Sequence, residues 1–259
     1  MPSPHRQPIA VLRHSHEHLC ALVSPLDDAA LEAPSYCDDW NVAQVLSHLG
    51  SGAEIALLNF TAARAGAPAP DRSEYQAIWD TWNARSPREM ADGFAAADEA
   101  HIAAYEALSD EELDALSIPW FDGSMLDASG AVLMRLGEHA VHTWDVEVAS
   151  APEATVQAEA VEHLVDLLPR RAARLARGDK PDGAVAVHAE EPARDFLLSL
   201  GEQPALTPGA GEAESSLSLP AEALLRLLYG RLDAEHTPSS ATTSGPVDLA
   251  ALRAAFPGF

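Results

Sequence analysis

The chain has 259 residues and a formal net charge of −24, from 40 Asp plus Glu against 16 Lys plus Arg. So acidic a surface repels phosphate backbones and anionic headgroups, which excludes nucleic acid and membrane surfaces as partners but not a small anion held by a local arginine or a metal. With 47% hydrophobic residues the chain can bury a sizeable core, as one large domain or two ordinary ones. Cys20 and Cys37 are the only cysteines and form no CxxC, so neither a disulfide framework nor a thiolate zinc site is expected. The first nine residues lack the apolar region of a signal peptide, and no apolar run approaches the roughly 20 residues that span a bilayer. A cytoplasmic protein is expected.

The first predicted helix covers residues 6–26, with Ile9, Leu12, His16, Leu19, Cys20 and Val23 on one face and His14 and His18 on the other. Residues 27–39 contain Pro34 and read as a connection with a short helical turn. Asn41 suits the N-cap of a second helix, and Trp40 before it can pack on Val45 as a hydrophobic staple. Val42, Val45, Leu46, Leu49, Ala53, Ala56 and Phe60 make its buried stripe, with His48 on the flank. Residues 66–70 are a Gly/Pro loop. A third helical region, 74–108, is kinked or split at Pro87 and ends at Leu108-Ser109-Asp110. Residues 119–124 read as a turn-rich loop. A fourth helix follows, capped by Asp127 or Ser129, and runs to about Ser150. Four long helices with a site on facing helices predict an antiparallel four-helix bundle.

Beyond Pro152 the pattern changes. Residues 156–177 read as one helix, and strand-like runs follow at 184–188, 196–198 and 215–218. A helix starts at Pro220 and ends near Gly230, residues 236–245 read as a polar loop, and Asp248 caps a last helix. The expected organisation is an all-α bundle over residues 1–152 and a small α+β domain over 153–259.

The chemistry concentrates in the fourth helix. Glu138 and His142 are four apart, hence one turn above each other on one face, and both can reach one cation. His48, on the second helix, is the best third ligand. Three protein ligands with one position open is a catalytic pattern, and imidazole plus carboxylate suits zinc, iron or nickel. Asp145, one turn beyond His142, can accept from an imidazole N–H and orient it. The same spacing is also that of ordinary surface pairs, and His101 is a further candidate facing the bundle interior. No nucleophile elbow or glycine-rich phosphate loop occurs.

Three segments carry a resemblance: Trp40-Asn41-Val42, Val45-Leu46-Ser47-His48-Leu49, and Arg135-x-x-Glu138-x-x-x-His142-x-Trp144-Asp145. Together they resemble the N-terminal domain of the mycothiol-dependent maleylpyruvate isomerase family, which belongs to the DinB-like metal-binding four-helix bundles. Leu227-Leu228-Tyr229-Gly230-Arg231 resembles that family's C-terminal domain, which is similar to sterol-carrier-type α+β folds. The resemblance implies that His48, Glu138 and His142 bind a divalent metal, zinc above all. A glutamate at position 138, where generic DinB bundles more often carry histidine, points to the mycothiol branch. It also implies that Arg231, from the second domain, faces the active cleft as a catalytic or cofactor-binding group, and Asp145 is expected to be the other catalytic residue. Trp82-Asn83-Ala84-Arg85 resembles a recurring Asn-x-Arg, so Arg85 either meets a cofactor carboxylate or makes a bundle-end salt bridge. The implied activity is metal-dependent and uses mycothiol as nucleophile or cofactor, in cis–trans isomerisation of a maleylpyruvate-like substrate or in thiol transfer to a small electrophile. The rival readings are a metal-stabilised, non-catalytic ligand-binding protein and a metal-dependent hydrolase. The expected partners are a small-molecule substrate and the thiol, with the chain a monomer or homodimer.

Overall fold

Local capping chemistry decides where every helix of the N-terminal half after the first begins. A computed structural model describes residues 3–120 and 124–258. In it, α1 (Arg6–Val23) is followed by the short α2 (Asp28–Leu31). Asn41 caps α3 (Val42–Ala65): its side chain accepts from the Gln44 N–H while the Gln44 side chain accepts from the Asn41 N–H. The same reciprocal box opens α4 (Arg72–Asn83) with Asp71 and Glu74, α5 (Pro87–Glu106) with Ser86 and Glu89, and α6 (Asp110–Ala115) with Ser109 and Glu112. The helical region expected at 74–108 is therefore split rather than kinked. Pro87 occupies the first turn of α5, where its missing N–H would have had no helical partner. Ser109, read from sequence as an end, starts α6. Asp127, not Ser129, caps α7 (Ala128–Glu147) by accepting from the Gly130 N–H. The loop expected at 119–124 is flanked by a two-residue antiparallel ladder, β1 (Ile118–Pro119) with β2 (Met125–Leu126). Residues 121–123 lie outside the described residues.

The chain divides into two compact units, Met1–Ala151 and Pro152–Phe259. In the first, α1, α3, α5 and α7 form a four-helix bundle. Each of these helices packs on two others: α3 on α5 and α7, and α1 on α5 and α7. Their directions differ from a simple antiparallel bundle. Pairs His48–Glu138 and Leu49–Arg135 run α3 against α7. His5–Ser129 and His18–Glu147 run α1 alongside α7. Arg6–Leu108 and His16–Asp98 run α1 against α5. α3 and α5 are thus parallel, and α4 makes this possible by returning antiparallel along α3, with Tyr75 on Asn59 and Trp82 on Gly50. Trp82 is fully buried and wedges between α3 and α5. A Cβ at Gly50 would lie 2.0 Å from the indole, and one at Gly93, on α5, 3.2 Å from it. The core around this wedge includes Leu19, Val45, Leu46, Leu49, Met90 and Phe94.

In the second unit, the helix expected at 156–177 is two, α8 (Ala158–Leu164) and α9 (Leu168–Leu175), joined by a 3-10 turn just before Pro169. A five-stranded sheet follows in the order β5-β4-β3-β6-β7. Its strands are β3 (Ala184–Glu190), β4 (Arg194–Ser199), β5 (Ala205–Pro208), β6 (Ser215–Pro220) and β7 (Thr242–Ser244). β3 and β6 pair in parallel and the other neighbours antiparallel. Two strands correct the sequence reading. β5 was not expected, and β7 lies inside the loop expected at 236–245. Both are short edge strands, and β7 is exposed along its length, so neither carries the apolar alternation that reveals a half-buried strand. Val185, Val187, Ala189, Phe196, Leu198, Leu217 and Leu219 point to the buried face. α10 (Ala221–Leu228) packs on α8, α9, β3 and β6, and α11 (Leu249–Ala255) is capped by Asp248. The architecture is an N-terminal helical bundle and a C-terminal α+β unit. Among the described residues, no helix is long and apolar enough to cross a membrane.

Candidate metal centre

Glu138 and His142 project from the same face of α7, and the antiparallel α3 brings His48 onto them from across the bundle. His48 Nε2 lies 3.1 Å from Glu138 Oε2, and His142 Nε2 lies 3.8 Å from the same oxygen. The two imidazoles stand 4.8 Å apart, nearly edge to face, and the ligand atoms of the three residues all fall within 4.8 Å of one another. The side chains of His48 and Glu138 remain 37% and 44% exposed, so the cluster opens to solvent on one side.

The donor set fits a small divalent ion. Zinc–nitrogen and zinc–oxygen bonds of about 2.0–2.2 Å at tetrahedral angles separate neighbouring donors by roughly 3.4 Å, close to the observed 3.1 and 3.8 Å. The tautomer is also suitable. His142 Nδ1 donates to Asp145 Oδ2 at 2.8 Å, which leaves the Nε2 lone pair directed toward Glu138. Asp145 is fully buried and also accepts from the Cys37 thiol at 3.1 Å, while its backbone carbonyl accepts from the Tyr36 N–H. Cys37, His142 and Asp145 form a second group of closely spaced donors, in which Asp145 orients His142 from the side opposite Glu138.

Electrostatics agree with this geometry. Burial pushes the Glu138 carboxyl up, but the hydrogen bond donated by His48 and the neighbouring His142 and Arg135 outweigh it and hold the group below the usual carboxylate range. Glu138 is therefore a carboxylate. Burial moves His48 down, more than the Glu138 hydrogen bond moves it up, which favours the neutral imidazole a metal requires. Trp40 forms one wall, with its ring 5.1 Å from that of His48 and 6.0 Å from that of His142.

The other residues singled out from sequence lie differently. Arg85 stacks its guanidinium 3.6 Å over the Trp82 ring and pairs with Glu54 at 3.8 Å. Arg231, in the C-terminal unit, is 9% exposed, and its Nη1 donates to the Tyr229 carbonyl at 2.7 Å. His101 is fully buried against Tyr105, and burial drives it down to about 3, so it is neutral. His14 is exposed and His18 pairs with Glu147. The sequence reading did not single out Asp98. It sits among the apolar positions of α5, between Ala91, Phe94, Ile102 and Tyr105, and a lone carboxylate on such a stripe was the available signal. Nor did it assign a role to Cys37, whose contact with Asp145 joins residues 108 apart.

The sequence model described as the mycothiol maleylpyruvate isomerase N-terminal domain matches residues 12–147, more than half of the chain. No curated protein sequence matches. Two solved structures share the fold. One is titled the crystal structure of the mycothiol-dependent maleylpyruvate isomerase, with 17% identity, a TM-score of 0.70, and coverage of 96% of this chain and 98% of that one. The other, a histidine-to-alanine mutant under the same enzyme name, gives 15% identity, a TM-score of 0.69 and the same coverage. The chain belongs to the family of the mycothiol maleylpyruvate isomerase N-terminal domain.

Proposed function

We propose that this member of the family is a metal-dependent enzyme in which His48, Glu138 and His142 hold one divalent ion, zinc being well suited to two imidazoles and a carboxylate. Its co-reactant is a low-molecular-weight thiol, mycothiol by analogy with the name of the structural relatives. The observation that carries this reading is the convergence of the three ligand atoms, with His48 brought from 90 residues before Glu138, and with one imidazole already oriented by Asp145.

When bound, such an ion lowers the pKa of a coordinated thiol, so that a thiolate is available near neutral pH. The chain's own residues prepare for this. Asp145 holds the His142 tautomer, and the Cys37 thiol donates to the same carboxylate and keeps it in place. Trp40 shields both imidazoles from water on one side, while the exposed edges of His48 and Glu138 leave room for ligands. For a maleylpyruvate-like substrate the thiolate adds to the activated cis double bond, the resulting single bond rotates, and the thiolate leaves to give the trans isomer. Retention of the thiol on an electrophile is the transferase variant of the same addition. Arg85 and Arg231 are proposed at most as anion contacts, since each already has protein partners.

The test is metal content of the purified protein together with thiol-dependent turnover of maleylpyruvate and a panel of electrophiles. His48→Ala and His142→Ala should each lose stoichiometric metal and thiol-dependent turnover while keeping helical content. Full metal occupancy in both variants removes the site.

A further inference from the structure

Behind the ligands lies a buried polar hub that ties the four bundle helices together. Asp98, on α5, is fully buried. Its Oδ1 accepts from Arg135 Nη2 at 3.0 Å and Nε at 3.3 Å, and its Oδ2 accepts from His16 Nδ1 of α1 at 2.9 Å. His139 Nε2, on α7, lies 2.8 Å from that second oxygen. The same Arg135 Nη2 also donates to the backbone carbonyl of Leu49 on α3. One guanidinium therefore spans α7, α5 and α3.

Its place in the sequence matters. Arg135 stands one turn before Glu138 on α7, and Leu49 follows His48 on α3. Both helices that supply metal ligands are thus held by one side chain immediately beside those ligands. α3 also makes room for it. A Cβ at Gly52 would sit 2.9 Å from Arg135 Nη1. A mid-helix glycine costs about 1 kcal/mol of helix propensity relative to alanine, and the clearance it gives this guanidinium is a physical reason for it here.

We propose that Arg135, locked by Asp98 and accommodated by Gly52, is a positioning residue that sets the spacing between His48 and the Glu138–His142 pair. This rests on the metal reading above. It differs from a simple charge effect, because a buried cation near the site repels a metal ion, so its loss by electrostatics alone would tighten binding. A strut acts in the opposite sense. Its loss lets α3 and α7 drift and weakens binding. Lysine at this position keeps the charge but not the fork, and a single ammonium cannot reproduce the planar arrangement that serves Asp98 and the Leu49 carbonyl together.

The experiment measures zinc affinity by competition with a chromophoric chelator, well below the melting temperature, for the wild type, Arg135→Lys, Gly52→Ala and Phe60→Leu. The Gly52 variant guards against misfolding, since its added methyl favours helix. Phe60, packed against Tyr105 with ring centroids 4.7 Å apart and three turns from His48, is the stability control. Arg135→Lys and Gly52→Ala should each weaken zinc tenfold or more, in the range seen when groups supporting metal ligands are removed, and should change the ligand-field spectrum of the cobalt-substituted protein. Phe60→Leu should lower stability yet bind zinc within twofold of wild type. Wild-type affinity in both test variants, tighter binding in either, or an equal loss in Phe60→Leu overturns the strut. A wild-type protein that binds no zinc refutes the metal reading itself, and the strut falls with it.

Discussion

Adding one methyl group at Gly50 should destabilise the bundle, although the same change would stabilise an isolated helix. Two effects oppose each other. Alanine in a helix interior gains about 0.8–1.0 kcal/mol over glycine. Against it, the new Cβ would lie 2.0, 2.4 and 2.7 Å from Cη2, Cζ3 and Cζ2 of Trp82. These are rigid ring atoms of a fully buried side chain. The indole has little room to slide toward α5, where even a Cβ built on Gly93 would lie 3.2 Å from Cη2, and the Arg85 guanidinium covers the ring at 3.6 Å. Overpacking without an escape route costs roughly 1–3 kcal/mol and occasionally more, and three sub-contact distances place this case at or beyond the upper end. The expected net loss is about 2 kcal/mol, or roughly 4–8 °C in the melting temperature of a unit of this size. Urea denaturation followed by circular dichroism measures it. Trp82→Phe shortens the offending ring, so the methyl should cost at least 1 kcal/mol less in that background than in the wild type, by a double-mutant cycle of the usual kind. A Gly50→Ala protein as stable as wild type, or a cost unchanged by Trp82→Phe, refutes the wedge.

Asp145→Asn should weaken zinc binding by about 10- to 100-fold, some 1.4–2.7 kcal/mol, because an amide can turn its N–H toward His142 Nδ1 and disturb the tautomer; unchanged chelator competition would show that Asp145 does not orient the ligand. Stability should also depend on pH through His16. Burial pushes this imidazole down, but hydrogen bonds to Asp98 and Cys20 more than offset it and hold it at about 9, with Glu99 3.6 Å from its other nitrogen. A raised folded-state pKa means stabilisation that is complete below about pH 6.5 and lost as pH rises through about 9. Up to about 3 kcal/mol should disappear over that window in urea titrations, and His16→Gln should flatten the profile.

Some of this architecture is written in local spacing. Helix caps act over three residues, so the Asn41 cap is legible without any tertiary information, and the start of α7 is narrowed to Asp127 or Ser129. So is the shared face of Glu138 and His142, because 3.6 residues per turn places positions four apart together whatever surrounds the helix. The composition likewise fixes the acidic surface, whatever the fold. Other features needed the folded chain. Helical periodicity says which face of α3 is apolar but not which direction its neighbours run, and only the return of α4 along α3 makes α3 and α5 parallel. That path brings Trp82 onto Gly50, an approach no propensity predicts. His48 reaches Glu138 across 90 residues, and Cys37 reaches Asp145 across 108. Asp98 breaks an otherwise apolar stripe in sequence and would be costly there alone; its partners, Arg135 and His16, come from two other helices and satisfy it only once the bundle has closed. Short-range hydrogen bonding and side-chain periodicity are properties of a segment and survive in one dimension. The convergence of donors on a metal, and the burial of a charge among its partners, depend on distances between segments, which exist only in the tertiary structure.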